Sequence, residues 1–265
     1  MESIKAIREK LAGASNREPW MEPLETDGRK AVQKLLAAWN RKRELQAKMH
    51  EGHIQKKQFD DSFKNGGDCL VAGIDEAGRG PLAGPVVTAA VILPDNCPTL
   101  LGLDDSKKLS KTKRDYFAVE IKRIAISYAV HIQQPEEIDR LNIYQATKQS
   151  MAAAARELIP APSIILADAM QIEVGIPCES IIKGDAKSLA IAAASILAKT
   201  GRDAIMDEYA KEYAEYGFEQ HSGYGTKAHL EALRVHGPTP IHRRTFEPVK
   251  GMLPPSGSWE TRDND

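Results

Sequence analysis

The sequence predicts an α/β layer fold with a mixed central sheet flanked by helices, and three observations carry that prediction. Short apolar runs of strand length recur from residue 70 onward. Segments with helical periodicity separate them, as in layered α/β proteins. Two of the runs end in carboxylates, Asp75-Glu76 and Asp168, at the strand ends where such sheets collect ligands.

Taken in order, Ile4, Ile7 and Leu11 sit at helical spacing until Gly13, and a Pro-containing link follows at Pro19 and Pro23. A second helical pattern then places Val32, Leu35, Leu36 and Trp39 on one face and Arg29, Lys30, Lys34, Arg41 and Lys42 on the other. Asp60–Asp68, with two glycines, reads as a linker, so residues 1–67 are expected to form a helical extension. The strands follow at 70–75 and 85–93, the first ending in Asp75 and Glu76. Ser110 is a natural N-cap for a helix carrying Tyr116, Phe117, Ile121 and Ile124. Residues 126–133 read as a strand, and Pro135 opens one long helix running to Leu158. Residues 163–168 form a buried strand, 180–183 a brief one, and 189–213 an alanine-rich helix. After Gly217 the chain reads as irregular, with a basic cluster at His242-Arg243-Arg244. The expected division is an extension over 1–67, an α/β domain over 68–215, and a helical or irregular segment over 216–265 that ends in a mobile tail.

Composition excludes several classes. The chain has 265 residues, 42% hydrophobic and 28% charged, as soluble globular proteins do. It lacks an apolar run of membrane-spanning length, and its charged first residues do not resemble a secretion signal. Cys69, Cys97 and Cys178 are widely spaced and form no CxxC pair, which fits a reducing cytoplasm better than a disulfide framework or a zinc site. Net charge is −1, yet Gly28–Lys57 holds nine Lys or Arg against two Glu, enough to attract a polyanion locally. A solvated helix face would look the same.

The chemistry concentrates at Asp75-Glu76, Asp168 and Asp185. Clustered carboxylates repel one another unless a cation compensates them, and Mg²⁺ suits an all-oxygen site that also meets phosphate. Two such ions would activate water and stabilise a leaving oxygen. Each carboxylate alone is more often a turn or cap residue, and neighbours on an ideal strand point to opposite faces. Beside the pair, Gly78-Arg79-Gly80 offers close backbone approach and a phosphate-binding guanidinium.

These motifs resemble a known family. Gly73-Ile74-Asp75-Glu76-Ala77-Gly78-Arg79-Gly80-Pro81, Asp104-Asp105-Ser106-Lys107-Lys108-Leu109, the strand ending at Asp168, Lys183-Gly184-Asp185 and Ala192–Lys199 together look like bacterial ribonuclease HII over about residues 69–245. The resemblance implies a ribonuclease H-like fold and endonucleolytic cleavage of RNA–DNA hybrids and of duplex DNA 5′ of a single ribonucleotide, leaving 3′-hydroxyl and 5′-phosphate. It implies a catalytic and metal-binding quartet of Asp75, Glu76, Asp168 and Asp185, served by two Mg²⁺ or Mn²⁺ ions once substrate is bound. Asp203 is a rival for the fourth place, although its position inside a helix favours an ion pair. Gly78, Arg79 and Gly80 match the reader of the RNA-to-DNA junction, and Tyr224 matches the tyrosine that contacts the 2′-hydroxyl. Lys107, Lys108, Lys183 and Lys187 are phosphate-contact candidates. Many relatives follow the third carboxylate with glycine, whereas Ala169 stands here, and its small size predicts little consequence. A monomer is expected, no membrane partner, and a sliding-clamp contact is left open. The sister ribonuclease HIII and a non-catalytic nucleic-acid binding module on the same fold are the alternatives.

Overall fold

The structure is a computed structural model that describes residues 2–253. It divides into two compact units, Met1–Ile54 and Gln55–Asp265. The final residues of the expected mobile tail, from 254 on, lie outside the described residues.

In the first unit, α1 (Ile4–Gly13) is capped by Ser3, whose hydroxyl accepts the Ala6 N–H at 3.2 Å. A short α2 (Glu22–Glu25) follows, then α3 (Lys30–Asp61), along which the division between units falls. Ile7, Leu11, Met21, Leu24, Val32, Leu36 and Trp39 close a small core of their own. The predicted apolar face is therefore the buried one. Lys30, Lys34, Arg41 and Lys42 are exposed, whereas Arg29 is tied to Asp27.

The second unit is built on five strands: β1 (Val71–Ala77), β2 (Val86–Ile92), β3 (Ser127–Gln133), β4 (Ile164–Asp168) and β5 (Cys178–Ile181). Their order across the sheet is β3-β2-β1-β4-β5. The first three pair antiparallel, while β1–β4 and β4–β5 are parallel, which makes the sheet mixed as predicted. Its helices are α4 (Lys111–Ile124), α5 (Pro135–Leu141), α6 (Ile143–Arg156), α7 (Gly184–Lys187), α8 (Leu189–Glu212), α9 (Phe218–His221), α10 (Lys227–His236) and α11 (Val249–Met252).

Apolar layers cover both faces of the sheet. Met151, Ala154 and Ala155 of α6 pack with Leu158 on Ala72, Ile74, Ala90, Ile92, Ile165 and Ala167. On the other face, Ala192, Ala193, Ile196 and Leu197 of α8 pack with Ala89, Val91 and the α4 side chains Phe117 and Ile121. Each fully buried Ile or Leu contributes about 1.5–3 kcal/mol. Small side chains let α8 approach closely. A Cβ on Gly73 would stand 2.1 Å from the Ala190 carbonyl carbon, so β1 and the start of α8 touch backbone to backbone.

Four local expectations change. The linker read at Asp60–Asp68 begins later, because α3 runs through Asp61. Lys56 of that last stretch bonds Asp104 at 2.8 Å, and Asp60 accepts the Ala190 N–H at 3.0 Å, so tertiary contacts extend the helix. The single helix from Pro135 breaks at Asn142, which adopts φ 69° and caps α6 by accepting from Tyr144 and Gln145. The stretch after Gly217, read as irregular, contains α9, α10 and α11, and Thr226 caps α10 by accepting the His229 N–H. Finally, β1 does not stop at the carboxylates but continues to Ala77, because β2 pairs with it as far as Ala77↔Val87.

Candidate active site

The sheet register brings the carboxylates together. β1 and β4 run parallel with Ile74 opposite Ala167, so the next residues, Asp75 and Asp168, stand at neighbouring levels where that pairing stops. From Asp75 onward β1 is bonded to β2 alone, and both Asp75 and Glu76 line one pocket of about 350 Å³. The pocket is also lined by Gly78, Arg79, Gly80, Lys107, Asp168 and Tyr224. Asp185 lies close enough for Asp168 to raise its pKa, and Gly184 beside it donates its N–H to Asp168 Oδ1 at 2.7 Å. Lys108 turns to Asp104 at 3.2 Å, and Lys183 and Lys187 are exposed beyond the pocket lining. Asp203 pairs with Lys199 at 2.6 Å, as its helical position suggested.

Burial and mutual repulsion raise the pKa values of Asp75, Glu76 and Asp185. Burial, then the charges of Glu76 and Asp168, pushes the Asp75 carboxyl well above the usual range. Burial also raises Glu76, with Asp168 adding to it, although Arg79 at 3.4 Å opposes the shift. Asp185 is raised by burial, then by Asp105 and Asp168. Burial works against the Lys107 ammonium, but Asp105, Asp185, Asp75 and Asp168 together hold it above its ordinary value. Glu76 Oε2 is buried without a hydrogen-bond partner. A hard divalent cation fits this donor set: the candidate ligands are all oxygen, one oxygen is orphaned, and a cation beside them would oppose the upward shifts of Asp75 and Glu76. Among the described residues, no three His, Cys, Asp or Glu converge on a common point in the present side-chain positions.

The sequence reading missed a second set of lining residues. Ser195, Lys199 and Arg202 project from α8 at i, i+4 and i+7, one helical face, and Ser195 Oγ donates to Ser106 Oγ at 3.1 Å. That spacing was visible as three polar residues on one side of an alanine-rich helix. The loop after β1 is held by two buried guanidiniums that no local signal announced. Arg202 donates to the carbonyls of Pro85 (3.0 Å), Ala83 (3.1 Å) and Ser222 (3.0 Å). Arg243 donates to those of Arg79 (2.8 Å), Gly84 (2.9 and 3.1 Å) and Gly78. Gly78 is required twice over: its φ is +96°, and a Cβ would lie 2.1 Å from Arg202 Nε. Gly80 faces the Tyr224 ring, whose Cε1 would be 3.6 Å from a Cβ there.

Ala169 corrects the expectation that replacing glycine after the third carboxylate has little consequence. Its φ is +46°, in the left-handed region, so the methyl group carries a conformational cost of about 1–2 kcal/mol.

Comparison with known proteins places this geometry. A family model described as Ribonuclease HII matches residues 72–249, and one described as Ribonuclease HII N-terminal domain matches residues 3–64. A Ribonuclease HII of Bacillus cereus is 52% identical over 227 residues, spanning 86% of this chain and 88% of the relative. Among solved structures, the ribonuclease H2 from Pyrococcus horikoshii OT3 is similar with a TM-score of 0.58 and 29% identity, over 69% of this chain and 96% of that one. The RNase HII of a PCNA:RNase HII complex from Archaeoglobus fulgidus gives 0.57 and 27%, over 74% and 98%. The mixed sheet with its covering helices is thus the ribonuclease H fold. No helix among the described residues is long and apolar enough to cross a membrane.

Proposed function

The chain belongs to the ribonuclease HII family and is a ribonuclease H that hydrolyses RNA–DNA hybrids, and we propose that it also incises duplex DNA on the 5′ side of a single embedded ribonucleotide, leaving 3′-hydroxyl and 5′-phosphate. One observation carries the reading: Asp75, Glu76 and Asp168 share a pocket with the Gly78–Gly80 loop and Tyr224. A carboxylate cluster alone would serve many phosphoryl-transfer enzymes. The loop and the tyrosine add a means of inspecting a sugar.

Asp75, Glu76, Asp168 and Asp185 are the groups that would hold Mg²⁺ or Mn²⁺. Two such ions supply an activated water and charge stabilisation at the leaving oxygen. The chain's residues do the rest. Gly78 and Gly80 bring a side-chain-free backbone up to the minor groove, where the 2′-hydroxyl distinguishes RNA from DNA. Tyr224, 48% exposed, presents its ring and hydroxyl to the same groove beside Gly80. Arg79 and Lys107 contact phosphates next to the scissile bond, and Lys108, Lys183 and Lys187 add weaker contacts along the backbone. We assign the enzyme to the cytoplasm as a monomer, and the likeness to the ribonuclease of the PCNA complex extends the reading to a sliding-clamp contact.

Duplex DNA carrying one ribonucleotide, beside all-DNA and hybrid controls, tests this directly. Cutting 5′ of the ribonucleotide with Mg²⁺ or Mn²⁺, abolished by chelator and by Asp75→Asn, is the expected result. Chelator-insensitive cutting, or cutting of the all-DNA duplex, would refute it. A non-catalytic binding module would bind all three and cut none.

A further inference from the structure

Behind Tyr224 lies a group of buried imidazoles that the chemistry above does not use. His229 and His242 are 0% and 1% exposed, and His221 stacks on His229 with ring centroids 4.7 Å apart. Main-chain N–H groups can only donate, and this assigns the protons. The Thr239 N–H points at His242 Nδ1 at 2.9 Å, so that nitrogen accepts and the proton of a neutral ring sits on Nε2. His242 Nε2 faces His229 Nε2 at 3.0 Å, and only one proton fits between them. His229 Nε2 therefore accepts, and its own proton sits on Nδ1. That N–H is 3.0 Å from the Tyr224 carbonyl oxygen and donates to it. By the same logic the Gly223 N–H donates to His221 Nδ1 at 3.2 Å, and His221 Nε2–H donates to the Tyr216 carbonyl at 2.9 Å.

We infer that His242 and His229 form a directed hydrogen-bond relay, Thr239 N–H to His242 to His229 to the Tyr224 carbonyl, that positions Tyr224 for the 2′-hydroxyl and thereby sets junction selectivity, an inference that rests on the reading of Tyr224 given above. A trio of apolar side chains would fill the same space against the stacked rings of Tyr216 and Phe218 with less desolvation cost. The relay instead ends on the backbone of the residue whose ring lines the pocket. Two further contacts hold the same backbone. The Tyr224 N–H donates to the His221 carbonyl at 2.9 Å, and the Leu82 N–H donates to the Gly223 carbonyl at 2.8 Å. The ring then has a fixed base beside Gly80. Burial lowers the pKa of His229 and pushes that of His242 down to about 4, which disfavours the second proton that would break the Nε2–Nε2 bond. His229 and His242 are positioning residues and touch no substrate.

The test uses the full chain and two substrates, a single-ribonucleotide duplex and a long RNA–DNA hybrid. His229→Leu removes the donor while filling the site, and His229→Asn restores an N–H where Nδ1 stood. In His229→Leu the ratio of kcat/KM values, single ribonucleotide over hybrid, is expected to fall about tenfold, the equivalent of one lost hydrogen bond. His229→Asn is expected to restore most of that ratio, which a merely structural histidine would not do. Tyr224→Ala is the reference arm. If it loses selectivity while His229→Leu keeps it, the relay is overturned and the reading of Tyr224 stands. If Tyr224→Ala keeps selectivity, the reading of the site fails and the relay with it. Should His229→Leu not fold, ring ¹⁵N shifts of the unmodified protein decide: His229 protonated on Nδ1 and His242 on Nε2 supports the relay, and any other pairing overturns it.

Discussion

Arg243→Lys is expected to destabilise the protein and to loosen the Gly78–Gly80 loop together. The Arg243 guanidinium is 0% exposed and donates to three carbonyls, those of Gly78, Arg79 and Gly84, while stacking 5.0 Å from the Phe246 ring. Burial, then the nearby Arg202 charge, pushes its pKa down to about 9, so it stays charged at neutral pH. A lysine ammonium keeps the charge but presents its donors from one point, and it cannot span acceptors that a planar fork reaches. Leaving two of the carbonyls unsatisfied, at about 1–3 kcal/mol each, with some return of water, gives a loss of about 3 kcal/mol. For a unit of this size that corresponds to a melting temperature lower by about 6–12 °C. The carbonyls released belong to the Gly78–Gly80 loop, so cut position on a single-ribonucleotide duplex should blur well below the melting range. Thermal unfolding and mapped cleavage products give the two readouts. A melting temperature within about 1 °C of the parent, with unchanged cut position, would refute the clamp.

Three further outcomes follow from particular contacts. Ala169→Gly relieves a positive φ of 46° at the cost of a more flexible unfolded chain, for a net gain of about 0.5–1 kcal/mol in urea unfolding; a loss would contradict the strain. Asp60 is pushed up to about 6 by burial, so its folded value exceeds the unfolded one near 4 and stability falls as pH rises between them. Asp60→Asn keeps an acceptor for the Ala190 N–H and should gain about 2–3 kcal/mol above pH 6 and nothing below about pH 4, whereas parallel stability–pH profiles would exclude that role. Removing residues 2–54, rather than the 1–67 first read as the extension, spares Lys56 and Asp60. It should weaken duplex binding most at low salt and reduce the salt slope by about 2–4, given the exposed Lys30, Lys34, Arg41 and Lys42, and an unchanged slope would free that face of any role.

Local chemistry made much of the site legible. The apolar run ending in Asp168 marked a strand end, the run before Asp75-Glu76 marked a strand, and glycines flanking Arg79 and Tyr224 marked places where backbone must come close. Caps at Ser110 and the helical spacing in the first unit were also readable, because each depends on neighbours within a few residues. Residue type and motif marked Lys108, Lys183 and Lys187, but only the folded chain shows Lys108 paired with Asp104 and the other two exposed outside the pocket lining.

By itself, then, the sequence determined the α/β order of elements and pointed to the acidic residues of the candidate site, since periodicity and turn chemistry act over one or two turns of chain. Tertiary structure alone decided the rest. Parallel pairing of β1 with β4 set Asp75 beside Asp168, and pairing with β2 carried β1 past its carboxylates to Ala77. Arg202 and Arg243 grip carbonyls more than a hundred residues away, and His242 reaches Tyr224 through His229. Such bonds join groups with no local preference for one another, so they exist only once the packed core has brought their backbones into range.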